Sequence, residues 1–148
     1  KKICKKHNVK FILNDNPLIA KKIHADGCHL GQSDMPIEKA RKYLKNKIIG
    51  ITCHNSIYLS KKALKNNADY IAIGAFYKSF TKKVKYKATV KILKKIRKIS
   101  NKPIIAIGGI NDKNYKKLLL NKADFLAISS FIWKNKKLKP FEAMKKIK

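Results

Sequence analysis

Strict alternation along the chain constrains this fold more than any other feature. Short runs that are almost continuously apolar alternate six times with lysine-rich amphipathic stretches. KFILN at 10–14 leads to PLIAKKIH at 17–24, GCHLG at 27–31 to PIEKARKYLK at 36–45, and KIIGITCH at 47–54 to SIYLSKKALKNN at 56–67. YIAIGAF at 70–76 then leads to TVKILKKIRKIS at 89–100, PIIAIGG at 103–109 to NDKNYKKLLLNK at 111–122, and FLAISS at 125–130 to KPFEAMKKI at 139–147. Apolar runs without polar alternation predict parallel strands covered by helices. The intervening stretches carry the 3.6-residue stripe of amphipathic helices, with Ile92, Leu93, Ile96 and Ile99 expected inward and lysines outward. KKICKKHN at 1–8 reads as the end of a further helix, and Asn111 reads as a helix N-cap. Such βα alternation with right-handed crossovers leaves two architectures, a doubly wound sheet or a (βα) barrel.

The 148 residues suit one domain spanning 1–148, and their 45% apolar content is too high for a disordered polybasic tail despite a net charge of +29. Of the 37 basic residues only Arg41 and Arg97 are arginine; the rest are lysines spread over nearly every polar stretch, beside 21 Ile and 12 Asn. A surface built to read bases would use the arginine fork more heavily. The charge therefore reads as a compositional bias that attracts phosphorylated small molecules, with no specific nucleic-acid partner expected. The apolar runs fall well short of the ~20 residues a membrane span needs. Cys4, Cys28 and Cys53 have no metal-site spacing and fit a reducing cytoplasm. With Lys1 first and no signal peptide visible, the chain is expected to begin inside a longer gene product or after processing.

In both architectures ligands sit at the C-terminal ends of the strands. Gly108-Gly109 and Ser129-Ser130 each close a strand and open a helix, a pattern for phosphate that an ordinary tight turn also satisfies. Asp15 and Asp34 end successive strands, where two carboxylates suit one Mg²⁺ shared with substrate phosphates. The competing reading makes them caps of the helices near Pro17 and Pro36. The loop at 78–87 holds Ser79, Thr81 and Lys82, groups for a phosphate or pyrophosphate, or simply a solvated loop. His54 lies beyond a strand end as a candidate acid/base, while His7, His24 and His29 read as structural. Cys53 and His54 are neighbours on a strand and should face opposite ways, so they make no nucleophile–base pair.

The strings LNDN (13–16), ADGCHLGQSD (25–34), IIGITCHN (48–55), ADYIAIGAFYKSFTKK (68–83), PIIAIGGI (103–110) and ADFLAISS (123–130) together resemble the thiamine phosphate synthase family, which includes the thiazole tautomerase. The resemblance implies a (βα)8 TIM barrel, a shape that usually takes ~250 residues. About six βα units are present, so the first two strands would be missing. It implies that a hydroxymethylpyrimidine pyrophosphate loses pyrophosphate and is captured by a thiazole phosphate. By the same resemblance Asp15 and Asp34 match Mg²⁺ ligands, and Asn14, Thr52 (usually Ser) and Lys82 match pyrophosphate contacts. Ser79 (usually Thr), Thr81, Gly109 and Ser129 or Ser130 match the thiazole-phosphate site. The chain departs from the family in lacking its Gln-x-Arg-x-Lys group and the acidic residue after the Thr-Lys pair, and in carrying Lys78 in place of a proline. The residues thus hold the metal and thiazole-phosphate half of a site without its pyrimidine half, and on their own are expected to be inactive. Two other readings are a tautomerase-like isomerase using His54 as acid/base, and a basic nucleic-acid-binding module. The strands at 10–14 and 125–130 would be open edges, which invite homo-oligomerisation.

Overall fold

A computed structural model describes residues 1–79 and 85–147. The apolar runs become six strands: β1 (Ile12–Asn14), β2 (Gly27–Leu30), β3 (Ile48–Thr52), β4 (Tyr70–Ile73), β5 (Ile104–Ile107) and β6 (Phe125–Ala127). The helices are α1 (Lys2–Lys6), α2 (Pro17–Lys22), α3 (Ile37–Leu44), α4 (Ile57–Lys65), α5 (Val90–Arg97), α6 (Tyr115–Leu120), α7 (Ser130–Trp133) and α8 (Pro140–Lys145). Every strand pair is parallel and the spatial order equals the chain order. A doubly wound sheet would reverse direction partway. This one instead curls as a half-barrel.

The two faces of the sheet differ. Cys28, Leu30, Ile49, Cys53, Ile71, Ile73, Ile104 and Ala106 share the helix-facing side, and all are 0% exposed. They pack with Ala40, Leu44, Ala63, Leu93, Ile96 and Leu118 from the helices. Each buried Leu or Ile contributes about 1.5–3 kcal/mol by transfer from water. The other face is partly open: Ile105 and Ile107 are half-buried, and Phe125, in register with Ile105, is 58% exposed. Parallel strands are normally covered on both faces, so the expectation of two covered faces holds here for one.

One local device, repeated three times, ends a helix and starts the next strand. His24, Asn67 and Lys122 adopt positive φ (51°, 59° and 79°) directly after α2, α4 and α6. The following N–H groups reach back to the helix: Ala25 to Ala20 O, Ala68 to Ala63 O and Ala123 to Leu118 O, as in a Schellman ending. The next residue is in each case an aspartate. Asp26, Asp69 and Asp124 accept from the N–H of Phe11, Ile49 and Ile104 at 2.9, 2.8 and 2.7 Å. Their own N–H groups donate to the carbonyls of those same three residues. These reciprocal pairs lock β1 to β2, β3 to β4 and β5 to β6 at the rim away from the strand C-termini.

The two arginines serve the same rim. Arg41 donates to Lys45 O, Lys47 O, Asn67 O and the Asp69 carboxylate, and Arg97 donates to Ser100 O, Lys102 O and the Asp124 carboxylate. A planar fork can hold several acceptors at once where an ammonium cannot.

Three local expectations are corrected. Asn111 is not the cap of α6; its Oδ1 accepts from Lys113 N in a turn, and the helix begins at Tyr115 behind Asn114. Ile99 lies beyond the end of α5 and is 41% exposed, whereas Ile92, Leu93 and Ile96 are buried. The run at 125–130 stops as a strand at Ala127, and Ser130 opens the short helix α7.

Candidate active site

The strand C-termini surround an open cleft of about 680 Å³. Asn14, the last residue of β1, and Asp15 form one wall, followed by His29, Gly31, Gln32 and Ser33 from β2 and its turn. Thr52 and His54 follow β3, Gly74 and Ala75 follow β4, Ile107 and Gly108 end β5, and Ala127 ends β6. Ser79, Lys85 and Tyr86 come from the two described ends of the long loop. Thr81 and Lys82 lie outside the described residues.

The competing cap readings for the two aspartates do not hold. Asn16 caps α2, its Oδ1 accepting from Leu18 N and Ile19 N at 3.0 Å, which leaves Asp15 without that duty. Asp15 itself sits at φ 71° and lines the cleft, with no described side-chain partner for its carboxylate. The Asp34 carboxylate does not cap α3 either. It accepts from Gly31 N at 2.6 Å, closing the turn after β2, and opens into a smaller adjoining hollow. Both carboxylates act on one buried sulfur: burial first, then Asp15, then Asp34, push the Cys28 thiol up to about 11. Asp15 lines the main cleft and Asp34 the adjoining hollow, and their carboxylates are hard oxygen donors of the kind Mg²⁺ takes. Among the described residues no group of three or more His, Cys, Asp or Glu could hold a metal by itself.

Gly108 and Gly109 carry positive φ (96° and 64°), and a Cβ at Gly109 would stand 2.3 Å from Lys78 O. Only glycine lets the β5–α6 turn pass this close to the loop that follows β4. Gly108 lines the cleft and Gly109 lies beside it. Ser129 and Ser130 stand two and three residues beyond Ala127, where α7 begins, and neither lines the cleft.

His54 faces the cleft at φ 50°, with its ring 4.4 Å from that of Tyr86. Burial lowers its pKa below the ordinary 6.5, so the imidazole is neutral at neutral pH. Cys53 points the other way, fully buried, its thiol pushed up to about 12 by that burial. The alternation expected for this pair therefore holds.

His29, read from sequence as structural, is on the cleft wall. Its Nδ1 lies 2.8 Å from the Tyr70 hydroxyl and its Nε2 2.8 Å from Thr52 Oγ1. Gln32, also unassigned from sequence, donates its side-chain amide to Thr52 O. The signal available was register: His29 stands two residues before Gly31 and so shares its face of the strand.

The sequence matches the model of the thiamine monophosphate synthase family over residues 1–132. It is 67% identical over 148 residues to a thiamine-phosphate synthase of Pelagibacter ubique (strain HTCC1062), covering all of this chain and 72% of that protein. A thiamine-phosphate synthase of Nitrosomonas eutropha (strain DSM 101675 / C91 / Nm57) is 41% identical over 132 residues, 88% of this chain and 62% of the relative. Among solved structures, a thiamine phosphate pyrophosphorylase from Pyrococcus furiosus superposes with a TM-score of 0.88 at 28% identity, over 99% of this chain and 69% of its own. The chain thus spans 62–72% of the length of these three relatives. Sequence and fold agree: this chain belongs to the thiamine monophosphate synthase family.

Proposed function

We propose that the protein is a Mg²⁺-dependent thiamine phosphate synthase, joining a hydroxymethylpyrimidine pyrophosphate to a thiazole phosphate with release of pyrophosphate. The observation that carries this reading is that Asn14, Asp15, Thr52, Ser79 and Gly108 line one cleft in a chain of this family.

The chemistry asks little of the protein beyond placement and charge. The bond from the pyrimidine methylene to the pyrophosphate oxygen breaks, the leaving group keeps the electron pair, and the thiazole nitrogen takes the methylene carbon. No proton has to move in that step, so no general base is needed. Asn14, Thr52 and Lys82 hold the pyrophosphate, and the lysine ammonium meets the charge that grows as it leaves. Ser79, Thr81, Gly109 and the Ser129–Ser130 pair hold the thiazole phosphate, keeping the ring nitrogen in line. Asp15 and Asp34 are the residues that would hold Mg²⁺, which when bound would help neutralise the leaving pyrophosphate.

The half-barrel forms one domain, and two further βα units complete it to a (βα)8 ring, covering the open face and supplying the pyrimidine contacts. The 148 residues alone do not turn over. The substrates are small phosphorylated molecules, and the reaction suits the cytoplasm. No helix among the described residues is long and apolar enough to cross a membrane.

The test is release of pyrophosphate from the two substrates with Mg²⁺, using the protein with its complete barrel. Stoichiometric pyrophosphate and thiamine phosphate are expected. Isomerisation of a thiazole carboxylate phosphate that persists in EDTA, without pyrophosphate release, would replace this reading by the isomerase with His54 as its acid/base.

A further inference from the structure

Asn14, His29, Gly50 and Tyr70 occupy one row across β1 to β4, each in register with the next. The third member has no side chain, and the space is used. A Cβ on Gly50 would fall 1.8 Å from the Tyr70 ring, so Tyr70 lies across β3 at that point. Its ring reaches the His29 ring on the far side, the two nearly parallel at 16° with centroids 5.5 Å apart. The Tyr70 hydroxyl is then 2.8 Å from His29 Nδ1, and His29 Nε2 is 2.8 Å from the hydroxyl of Thr52, which faces the cleft.

With the imidazole neutral, two proton arrangements satisfy these distances. In one, Nδ1–H donates to the phenol oxygen and Thr52 donates to Nε2. The Tyr70 proton then has no acceptor among the described residues, and Thr52 shows only lone pairs to the cleft. In the other, the phenol donates to Nδ1, Nε2–H donates to Thr52 Oγ1, and the threonine proton is left for a ligand. Each arrangement leaves one O–H donor over, Tyr70's in the first and Thr52's in the second, and of the two residues only Thr52 lines the open cleft, where water or a ligand can accept it. The phenol also stays protonated, since burial, with Cys28 adding to it, pushes its pKa up to about 12.

We infer that Tyr70 and His29 are positioning residues: a one-way chain of hydrogen bonds, Tyr70 to His29 to Thr52, fixes the threonine hydroxyl as a donor toward an anion in the cleft. Gln32 supports it by holding the Thr52 carbonyl. The inference rests on the reading above for the anion, which is a pyrophosphate oxygen. A point of selectivity follows, because a cleft hydroxyl restricted to donating favours a ligand that can only accept.

Histidine ring ¹⁵N–¹H correlation spectra of the wild-type protein report the tautomer of His29 directly, and calorimetry with inorganic pyrophosphate and Mg²⁺ reports binding. The Nε2–H tautomer is expected; an Nδ1–H tautomer or an imidazolium overturns the chain of bonds whatever the affinity. Tyr70→Phe should give a mixture of tautomers and weaken pyrophosphate about three- to tenfold, and Thr52→Val should weaken it about tenfold, with Thr52→Ser restoring it to within about twofold. A Tyr70→Phe protein with wild-type tautomer and affinity overturns the inference. Should that variant not fold, the wild-type spectrum alone decides. Failure of the wild-type protein to bind pyrophosphate, with the Nε2–H tautomer in place, would instead refute the pyrophosphate reading and with it the assigned acceptor.

Discussion

The two rims of the sheet spend the same side chain in opposite ways. At one rim Asp26, Asp69 and Asp124 each turn a carboxylate onto a backbone N–H of the neighbouring strand, and two of the three also bind an arginine. At the other rim Asp15 has no described partner and Asp34 is held by one backbone N–H. Satisfied carboxylates hold structure; a carboxylate left open at a cleft is available to a ligand. In a chain with only 8 acidic residues against 37 basic ones, five aspartates are divided between these two duties. Substitutions at the two rims should therefore separate stability from turnover.

The largest effect is expected at the open rim. Asp15→Ala should lower turnover by about 100-fold or more while leaving the melting temperature close to wild type, because no described contact is lost. Asp34→Ala should lower turnover similarly, and more than it weakens thiazole phosphate binding, at an added cost of about 1 kcal/mol for the lost bond to Gly31 N. Steady-state kinetics and urea unfolding of the protein with its complete barrel check both. Thiazole affinity falling with turnover preserved would contradict the metal assignment.

Next comes the closed rim. Asp69→Ala should destabilise by about 1–2 kcal/mol through the lost Ile49 N–H acceptor, with only a small share from the partly exposed ion pair. Arg41→Lys should cost about 1 kcal/mol, since an ammonium cannot hold the same set of carbonyls. Both variants should keep wild-type kinetics once folded.

The smallest effect is acid sensitivity. The Phe11 N–H, aided by Lys10, Lys47 and Lys1 and opposed by burial, holds the Asp26 carboxyl below its ordinary 3.8. A depressed pKa in the folded state means that its stabilisation is complete above the unfolded value and is lost as pH falls through the folded one. Asp26→Asn should therefore flatten the acid limb of the stability–pH curve slightly and leave neutral pH unchanged in slope.

The comparison also shows what could be read without coordinates. Six apolar runs located six strands, because burial against helices demands near-continuous hydrophobicity. The place of Asp15 directly after β1 is legible because a strand end is a local signal, whereas Asp34 lies in the turn after β2 and lines the adjoining hollow, not the main cleft. The role of Asp26, Asp69 and Asp124 is not legible, since their partners lie 15 to 20 residues away and depend on strand register. The place of His29 on the cleft wall is hidden for the same reason. A histidine in mid-strand looks structural until the row containing Gly50 and Tyr70 is known. Counting strands points to open edges at 10–14 and 125–130, but the partly open face, with Ile105 half-buried and Phe125 exposed, is not legible, because both are equally apolar in sequence.

The most direct test of the division between the rims is calorimetric binding of inorganic pyrophosphate, with and without Mg²⁺, to the wild-type, Asp15→Ala and Asp69→Ala proteins. The account predicts Mg²⁺-dependent binding that is lost in Asp15→Ala and retained in Asp69→Ala. Binding that survives Asp15→Ala undiminished, or that is lost in a folded Asp69→Ala protein, would contradict it.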